Sequence, residues 1–156
     1  MIPYRLYRSI DLKVSKTDCW DFFSNPKNLK KITPDYMGFD IVSGGDSVMY
    51  AGQLISYKVS PVLGIKNDWV TEITHVRDGD FFVDEQRFGP YKLWHHKHFF
   101  EEIDGGMRCV DEIHYLPPVS FLAPIINKFL IRPKLEEIFD YRTKVLKGLF
   151  GEVEGA

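Results

Sequence analysis

Apolar and polar positions alternate with period two over most of this chain. Tyr4 to Val14 opens with such an alternation, with Leu6, Ile10 and Leu12 among its apolar positions, and predicts a strand. Ser15 follows as an N-cap with Asp18 three residues on, so a short helix is expected over Lys16 to Phe23, with Trp20 and Phe23 on one face. Asn25-Pro26 restarts a second short helix to Ile32, with proline in its first turn, and Thr33-Pro34 ends it. Strands are then expected over Phe39 to Val42, Tyr50 to Val59, Ile65 to Val76, Phe81 to Phe88, Tyr91 to Ile103 and Met107 to Leu116. Turn residues separate them: Gly44-Gly45-Asp46, Pro61 to Gly64, Asp78-Gly79, Gly89-Pro90 and Gly105-Gly106. After Pro117-Pro118 the period changes. Leu135, Ile138, Phe139, Leu146 and Leu149 recur at helical spacing, and Pro133 either opens or kinks that helix.

This order describes an α+β domain: a curved antiparallel sheet of about six or seven strands wrapped around a long C-terminal helix, with two short helices after the first strand. One domain is expected over residues 1–150, with 151–156 a disordered tail. A strongly curved sheet gripping a helix leaves a space between them, and a binding site is expected there.

The alternation also says which side chains face that space. In Tyr91 to Ile103 one face carries Trp94, His96, His98 and Phe100, and the other carries Leu93, His95, Lys97 and Phe99. Lysine is seldom fully buried, so the Lys97 face is placed outward. A two-residue turn at Gly105-Gly106 pairs His96 with Tyr115, His98 with Ile113 and Phe100 with Asp111. It thereby puts Asp111 and Tyr115 on the aromatic-histidine face. A two-residue turn at Asp78-Gly79 pairs Ile73 with Asp84, Thr71 with Gln86 and Trp69 with Phe88, so Trp69, Asp84 and Gln86 share a face. On the last helix Ile138, Arg142 and Leu146 are four apart. Arg142 therefore lies within the apolar stripe, where a cation needs Asp111, Asp84 or an acidic ligand group as partner.

Composition narrows the function. The 156 residues carry 20 Lys+Arg against 22 Asp+Glu, a balance that argues against binding nucleic acid through its phosphates. No apolar run is long enough for an integral membrane segment. The N-terminus lacks the apolar core of an export signal. With two cysteines, Cys19 and Cys109, far apart in sequence, the expectation is a cytoplasmic protein with reduced thiols. Aromatic residues reach 15%, more than a core of this size needs, which suits a lined cavity. No dinucleotide, phosphate-loop, HExxH or GxSxG motif occurs.

The segment FVDEQRFGPYKLWHHKHFFEEIDGGMRCVDEIHYLPP, with Trp69 before it and Arg142 in IFDYR after it, resembles the SRPBCC superfamily of START-like and birch-pollen-allergen-like helix-grip proteins. Within it the likeness is to a group of small bacterial polyketide cyclase/dehydrase-like proteins. It is carried by Trp69, Asp84, Gln86, Gly89-Pro90, Trp94, His96, His98, Phe100, the Gly-Gly turn, Asp111, Tyr115, Pro117 and Arg142. Met107 departs from the threonine usual after the Gly-Gly turn. The resemblance implies a helix-grip fold and a cavity but no single reaction, since members carry lipids, bind plant hormones, cyclise polyketides or have no assigned activity.

The expected function is binding of a small hydrophobic molecule with a polar or acidic group. Trp69, Asp84, Gln86, Trp94, His96, His98, Phe100, Asp111, Tyr115 and Arg142 are the candidate ligand-binding residues, and no cofactor or metal is required. His96, His98 and Asp111 have ligand chemistry, but nothing in their spacing completes a zinc site. Two alternatives stand beside this reading. One is a cyclase or dehydratase using His98 and Asp111 as a base with Tyr115 as the acid. The other is an interaction protein whose cavity is filled by its own side chains.

Overall fold

The computed structural model describes residues 2–60, 66–118 and 121–154. Seven strands form one sheet: β1 (Tyr4–Leu12), β2 (Asp40–Ser43), β3 (Gln53–Val59), β4 (Asn67–Arg77), β5 (Phe81–Phe88), β6 (Leu93–Ile103) and β7 (Gly106–Leu116). Their order is β1-β7-β6-β5-β4-β3-β2, and every neighbouring pair is antiparallel. Strands β2 to β7 form a meander. The first strand returns to close on the last, pairing Tyr4 with Tyr115 and Leu12 with Met107.

Helix α1 (Lys16–Phe23) begins where its cap requires. The Ser15 hydroxyl accepts the Asp18 amide N–H at 3.1 Å and donates to the Asp18 carboxylate at 2.7 Å. The second short helix, Pro26–Ile32, winds as a 3₁₀ helix, capped by the Asn25 side chain on the Lys27 amide. At the C-terminus a helical run passes through α2 (Ala123–Ile126), one wide π-type stretch, Asn127–Ile131, and α3 (Arg132–Phe150). Pro133 sits in the first turn of α3 directly after the wide stretch, so the run continues where a mid-helix proline would have broken it. Among the described residues no helix is long and apolar enough to cross a membrane. The expected turn Pro61 to Gly64 and Ile65, the expected start of the next strand, lie outside the described residues.

Helix α3 buries Leu135, Ile138, Phe139, Arg142 and Leu146, the stripe its spacing predicts. The core has two parts. One, around Leu12, Phe23, Ile55, Phe82, Phe100 and Leu146, joins α1 to the sheet. The other, around Leu6, Ile113, Tyr115, Leu135 and Phe139, joins the first half of α3 to β1 and β7. In the first part Cys19 and Cys109, distant in sequence, meet with their sulfurs 3.5 Å apart as free buried thiols. The hydrogen bond to Cys19, and then burial, push the Cys109 thiol up.

Three local expectations are corrected. The β6–β7 turn is Asp104-Gly105, because Ile103 pairs with Gly106. This shifts the pairing by two residues relative to a turn at Gly105-Gly106, so the faces are kept but the partners change: Trp94 meets Tyr115, His96 meets Ile113, His98 meets Asp111 and Phe100 meets Cys109. At β4–β5 the connection has three residues, since Arg77 pairs with Phe81. An extra residue at Thr74 then restores Ile73 opposite Asp84 and Thr71 opposite Gln86, while Phe88 falls opposite Val70 instead of Trp69. Finally, residues 151–153 do not trail free. The Gly151 carbonyl accepts the Lys13 amide at 3.1 Å, and the Val153 amide donates to the Asp11 carbonyl at 3.1 Å.

Gly106 is required by this closure of β1 on β7. A Cβ there would stand 2.0 Å from the Leu12 carbonyl oxygen, which is backbone and cannot swing aside. Gly106→Ala is expected to destabilise the fold by about 2 kcal/mol through displacement of the β1–β7 edge. Urea denaturation checks this. An unchanged midpoint would show that the edge relaxes freely.

Candidate functional site

Between the sheet and α3 lies a cavity of about 150 Å³. Its walls are mostly apolar. Phe82, Trp69, Tyr91 and Trp94 come from the sheet side, and Leu135, Ile138 and Phe139 from α3. At one end Trp69, Tyr91 and Trp94 form a three-ring wall, with centroids 5.3 Å apart for Trp69–Trp94 and 4.9 Å for Tyr91–Trp94. Trp69 is held there by its indole N–H, which donates to the Thr71 hydroxyl at 3.0 Å. Such edge-to-face packing fixes the rings as a rigid wall.

The charged groups and imidazoles on this wall are Asp84, His96, His98 and Arg142, with Asp111 immediately beneath them. Strand pairing sets their positions. Asp84 on β5 lies opposite His96 on β6, and His98 lies opposite Asp111 on β7. The two imidazoles stack with centroids 3.7 Å apart, and Phe82 continues the stack on His98 at 4.1 Å. The result is a closed ring of alternating imidazoles and carboxylates. His98 Nε2 is 2.9 Å from Asp84 Oδ2, and His98 Nδ1 is 2.9 Å from Asp111 Oδ1. His96 Nε2 is 2.9 Å from Asp111 Oδ1, whereas His96 Nδ1 stands 3.4 Å from Asp84 Oδ2. Arg142 Nη1 donates to the same Asp111 Oδ1 at 3.2 Å.

These distances assign protons. A carboxylate only accepts, so His98 Nε2 donates to Asp84. With a second carboxylate, Asp111, 2.9 Å from its Nδ1, the His98 ring is placed to hold a second proton as an imidazolium. His96 makes one short contact, at Nε2, and a neutral ring protonated there suffices. The electrostatics agree. Burial lowers the His98 pKa, but its hydrogen bonds to Asp111 and Asp84 overcome that and leave it raised. Burial, and then the charge of His98, push His96 down to about 4. Burial would raise the Asp111 carboxyl, yet Arg142 and then the two imidazoles hold it well below the usual carboxylate range. Asp84 is likewise held low against burial, by His96, His98 and Arg142. The cluster of two carboxylates, one imidazolium and one guanidinium is electrically neutral.

Arg142 is the underused member. It is 7% exposed, and its guanidinium lies over the Phe139 ring at 4.5 Å. Among the described residues it makes one hydrogen bond, and its Nε has no partner. A guanidinium offers five N–H donors, so a buried one with a single acceptor is incompletely satisfied.

Asp84, His96 and His98 also hold ligand atoms within 4.8 Å of one another, the spacing a cation would need. The two histidines also pair with Asp111 and, through it, with Arg142, so the group is also part of an ion-paired network.

Of the ten sequence-derived candidates, Trp69, Asp84, Trp94, His96, His98 and Arg142 line the cavity. Asp111 supports the cluster from below. The other three stand elsewhere. Gln86 clamps the β5–β6 turn: its Nε2 donates to the Tyr91 carbonyl at 2.6 Å and its Oε1 accepts the Tyr91 amide at 3.1 Å. It thereby positions Tyr91 without touching the cavity. Phe100 packs into the core against Phe23 and Trp20, with centroids 5.0 and 5.8 Å away. Tyr115 is fully buried and donates its hydroxyl to Asn127 Oδ1 at 2.7 Å. It is therefore not presented as an acid opposite His98. Tyr91, Phe82 and Phe139 line the cavity without having been singled out as site residues. Phe82 shares the face of Asp84 by simple alternation, a signal that was present. The strand period puts Tyr91 at the head of its strand on the outward, Lys97 face; β6 begins only at Leu93, so that period does not govern Tyr91 and it turns to the cavity.

Sequence profiles of known protein families give no match, and neither do curated proteins. Solved structures do. The chain is similar to protein Ms6760 of Mycobacterium smegmatis, with TM-score 0.67 and 19% identity over 93% of this chain and 89% of that one. It is similar to protein CV1439 of Chromobacterium violaceum, with TM-score 0.69 and 15% identity over 98% and 100%. It is similar to major latex-like protein 151 of Panax ginseng, with TM-score 0.70 and 13% identity over 96% and 99%. At these identities the likeness defines the fold.

Proposed function

We propose that this chain, a helix-grip protein, binds a small hydrophobic molecule bearing an acidic group in the cavity between its sheet and α3. The ring or chain of the ligand packs against Trp69, Tyr91, Trp94 and Phe139, and its carboxylate lies on Arg142. The observation that carries this reading is Arg142 itself: a buried guanidinium on an apolar wall, with one acceptor and an unpartnered Nε. Guanidinium and carboxylate match in shape and charge, and their hydrogen bonds are strongest where water is excluded. A cavity of about 150 Å³ with mostly apolar walls suits a body about the size of benzene.

Thermal unfolding with a panel of small aromatics tests this. Benzoate and phenylacetate are expected to raise the melting temperature by on the order of 5–10 °C at about 100-fold excess over Kd. Benzamide and toluene are expected to have far less effect. Arg142→Gln should lose the response to the acids. Equal responses to benzoate and benzamide, or none to either, would overturn the acid-binding reading. Native mass spectrometry of the freshly purified protein would add the mass of any copurified guest.

A further inference from the structure

We propose, resting on the acid-binding reading above, that the ligand's carboxylate enters this cavity together with one proton, and that Nδ1 of His96 takes it. Every charged group facing His96 is paired already: Asp84 from β5, Asp111 from β7, the His98 imidazolium beside it on β6, and Arg142 from α3. The two tyrosines on this wall stay neutral: burial and then Asp84 push up the hydroxyl of Tyr57 on β3, and burial and then Tyr115 push up that of Tyr91. The sum of these charges is zero. A carboxylate on Arg142 would add a negative charge to a wall that already carries Asp84, in a space lined mostly by apolar side chains. A buried site does not tolerate an uncompensated charge.

One place is shaped to accept the compensating proton. His96 Nδ1 faces Asp84 Oδ2 at 3.4 Å with a lone pair on each side, an acceptor against an acceptor. A proton on Nδ1 turns that contact into a charge-assisted hydrogen bond and makes His96 the second imidazolium of the ring. The other three imidazole nitrogens each lie 2.9 Å from a carboxylate oxygen, and the two Nε2 atoms already donate there. Without ligand, His96 is held down to about 4 by burial and His98, so it is neutral near neutrality. A carboxylate brought within about 4 Å in such surroundings strengthens proton binding on the order of a thousand-fold. That carries the protonation of His96 into the range near pH 7.

Titration calorimetry with benzoate, at pH about 5.5 in two buffers of different ionisation enthalpy, reads the proton directly. The expected result is close to one proton taken up per benzoate bound. The affinity is expected to weaken on the order of tenfold from pH about 5.5 to about 6.5 and to level off above pH about 7.5. In His96→Gln both the uptake and this pH dependence should vanish. If wild-type protein binds benzoate with no proton exchanged, the coupling is wrong and the acid-binding reading stands. Uptake retained in His96→Gln would put the proton on another group and overturn the assignment to His96. Failure of wild-type protein to bind benzoate would overturn both. Should His96→Gln fail to fold, the two-buffer measurement on wild-type protein decides the coupling alone.

Discussion

Asp111→Ala is expected to destabilise the protein by about 3–5 kcal/mol, lowering its melting temperature by roughly 10 °C. One oxygen of Asp111 accepts from His96 Nε2 and Arg142 Nη1 and lies 2.9 Å from His98 Nδ1, and no other carboxylate among the described residues pairs with the guanidinium. Removing it leaves two buried cations, His98 and Arg142, with Asp84 alone to balance them. The cost comes from the uncompensated charge, because an intact buried pair gains little over an apolar replacement. It follows that Asp111→Leu combined with Arg142→Met should recover part of the loss while abolishing acid binding. Differential scanning calorimetry of the single and double variants checks both statements. A single variant within about 2 °C of wild type would mean that the charges are solvated in place and that the ring is not a buried network.

Stability is expected to fall by roughly 2–3 kcal/mol between pH about 7 and about 4.5, with most of the loss due to His96. The direction follows from the shift. His96 is held at about 4 in the fold against 6.5 when unfolded, so the unfolded chain binds the proton first as pH falls. Its contribution is whole above 6.5 and drains away down to about 4. Asp84 and Asp111 are depressed in the fold, so they add a further loss only below the ordinary aspartate range. His98 runs the other way. Its pKa is raised, so its contribution is complete below 6.5 and is lost on the alkaline side as pH climbs through the folded value. Urea denaturation at the two pH values measures the fall, and His96→Leu should flatten it. An equal free energy of unfolding at both would be incompatible with a buried neutral His96. Bound acid should oppose the fall, because the ligand supplies a reason for His96 to hold the proton inside the fold.

The contrast between correct and corrected expectations is informative. Trp94, His96 and His98 share the inner face, and Arg142 lies in the buried stripe of α3, as local spacing requires. Face depends only on parity along a strand or on the turn of a helix, and both are properties of a few neighbouring residues. Partnership depends on register. Moving the β6–β7 turn from Gly105-Gly106 to Asp104-Gly105 leaves every face intact but replaces Ile113 by Asp111 opposite His98. Gly106 belongs to the strand because the Leu12 carbonyl of β1 presses on it, a contact between residues far apart in the chain. Likewise Tyr115 is on the expected face, but at the strand end where Asn127 of the helical run receives its hydroxyl.

The sequence by itself therefore determined the α+β order, the inward faces, the helical stripe and the presence of a cation within it, because each is decided by short-range period and side-chain chemistry. Only the tertiary structure decided that β1 closes on β7, that Asp84 pairs with His98 while Asp111 lies beside both imidazoles, and that the fold favours the proton on His98 over one on His96. Those outcomes rest on ångström-scale offsets between strands and on the summed field of groups from β5, β6, β7 and α3, which no local pattern encodes.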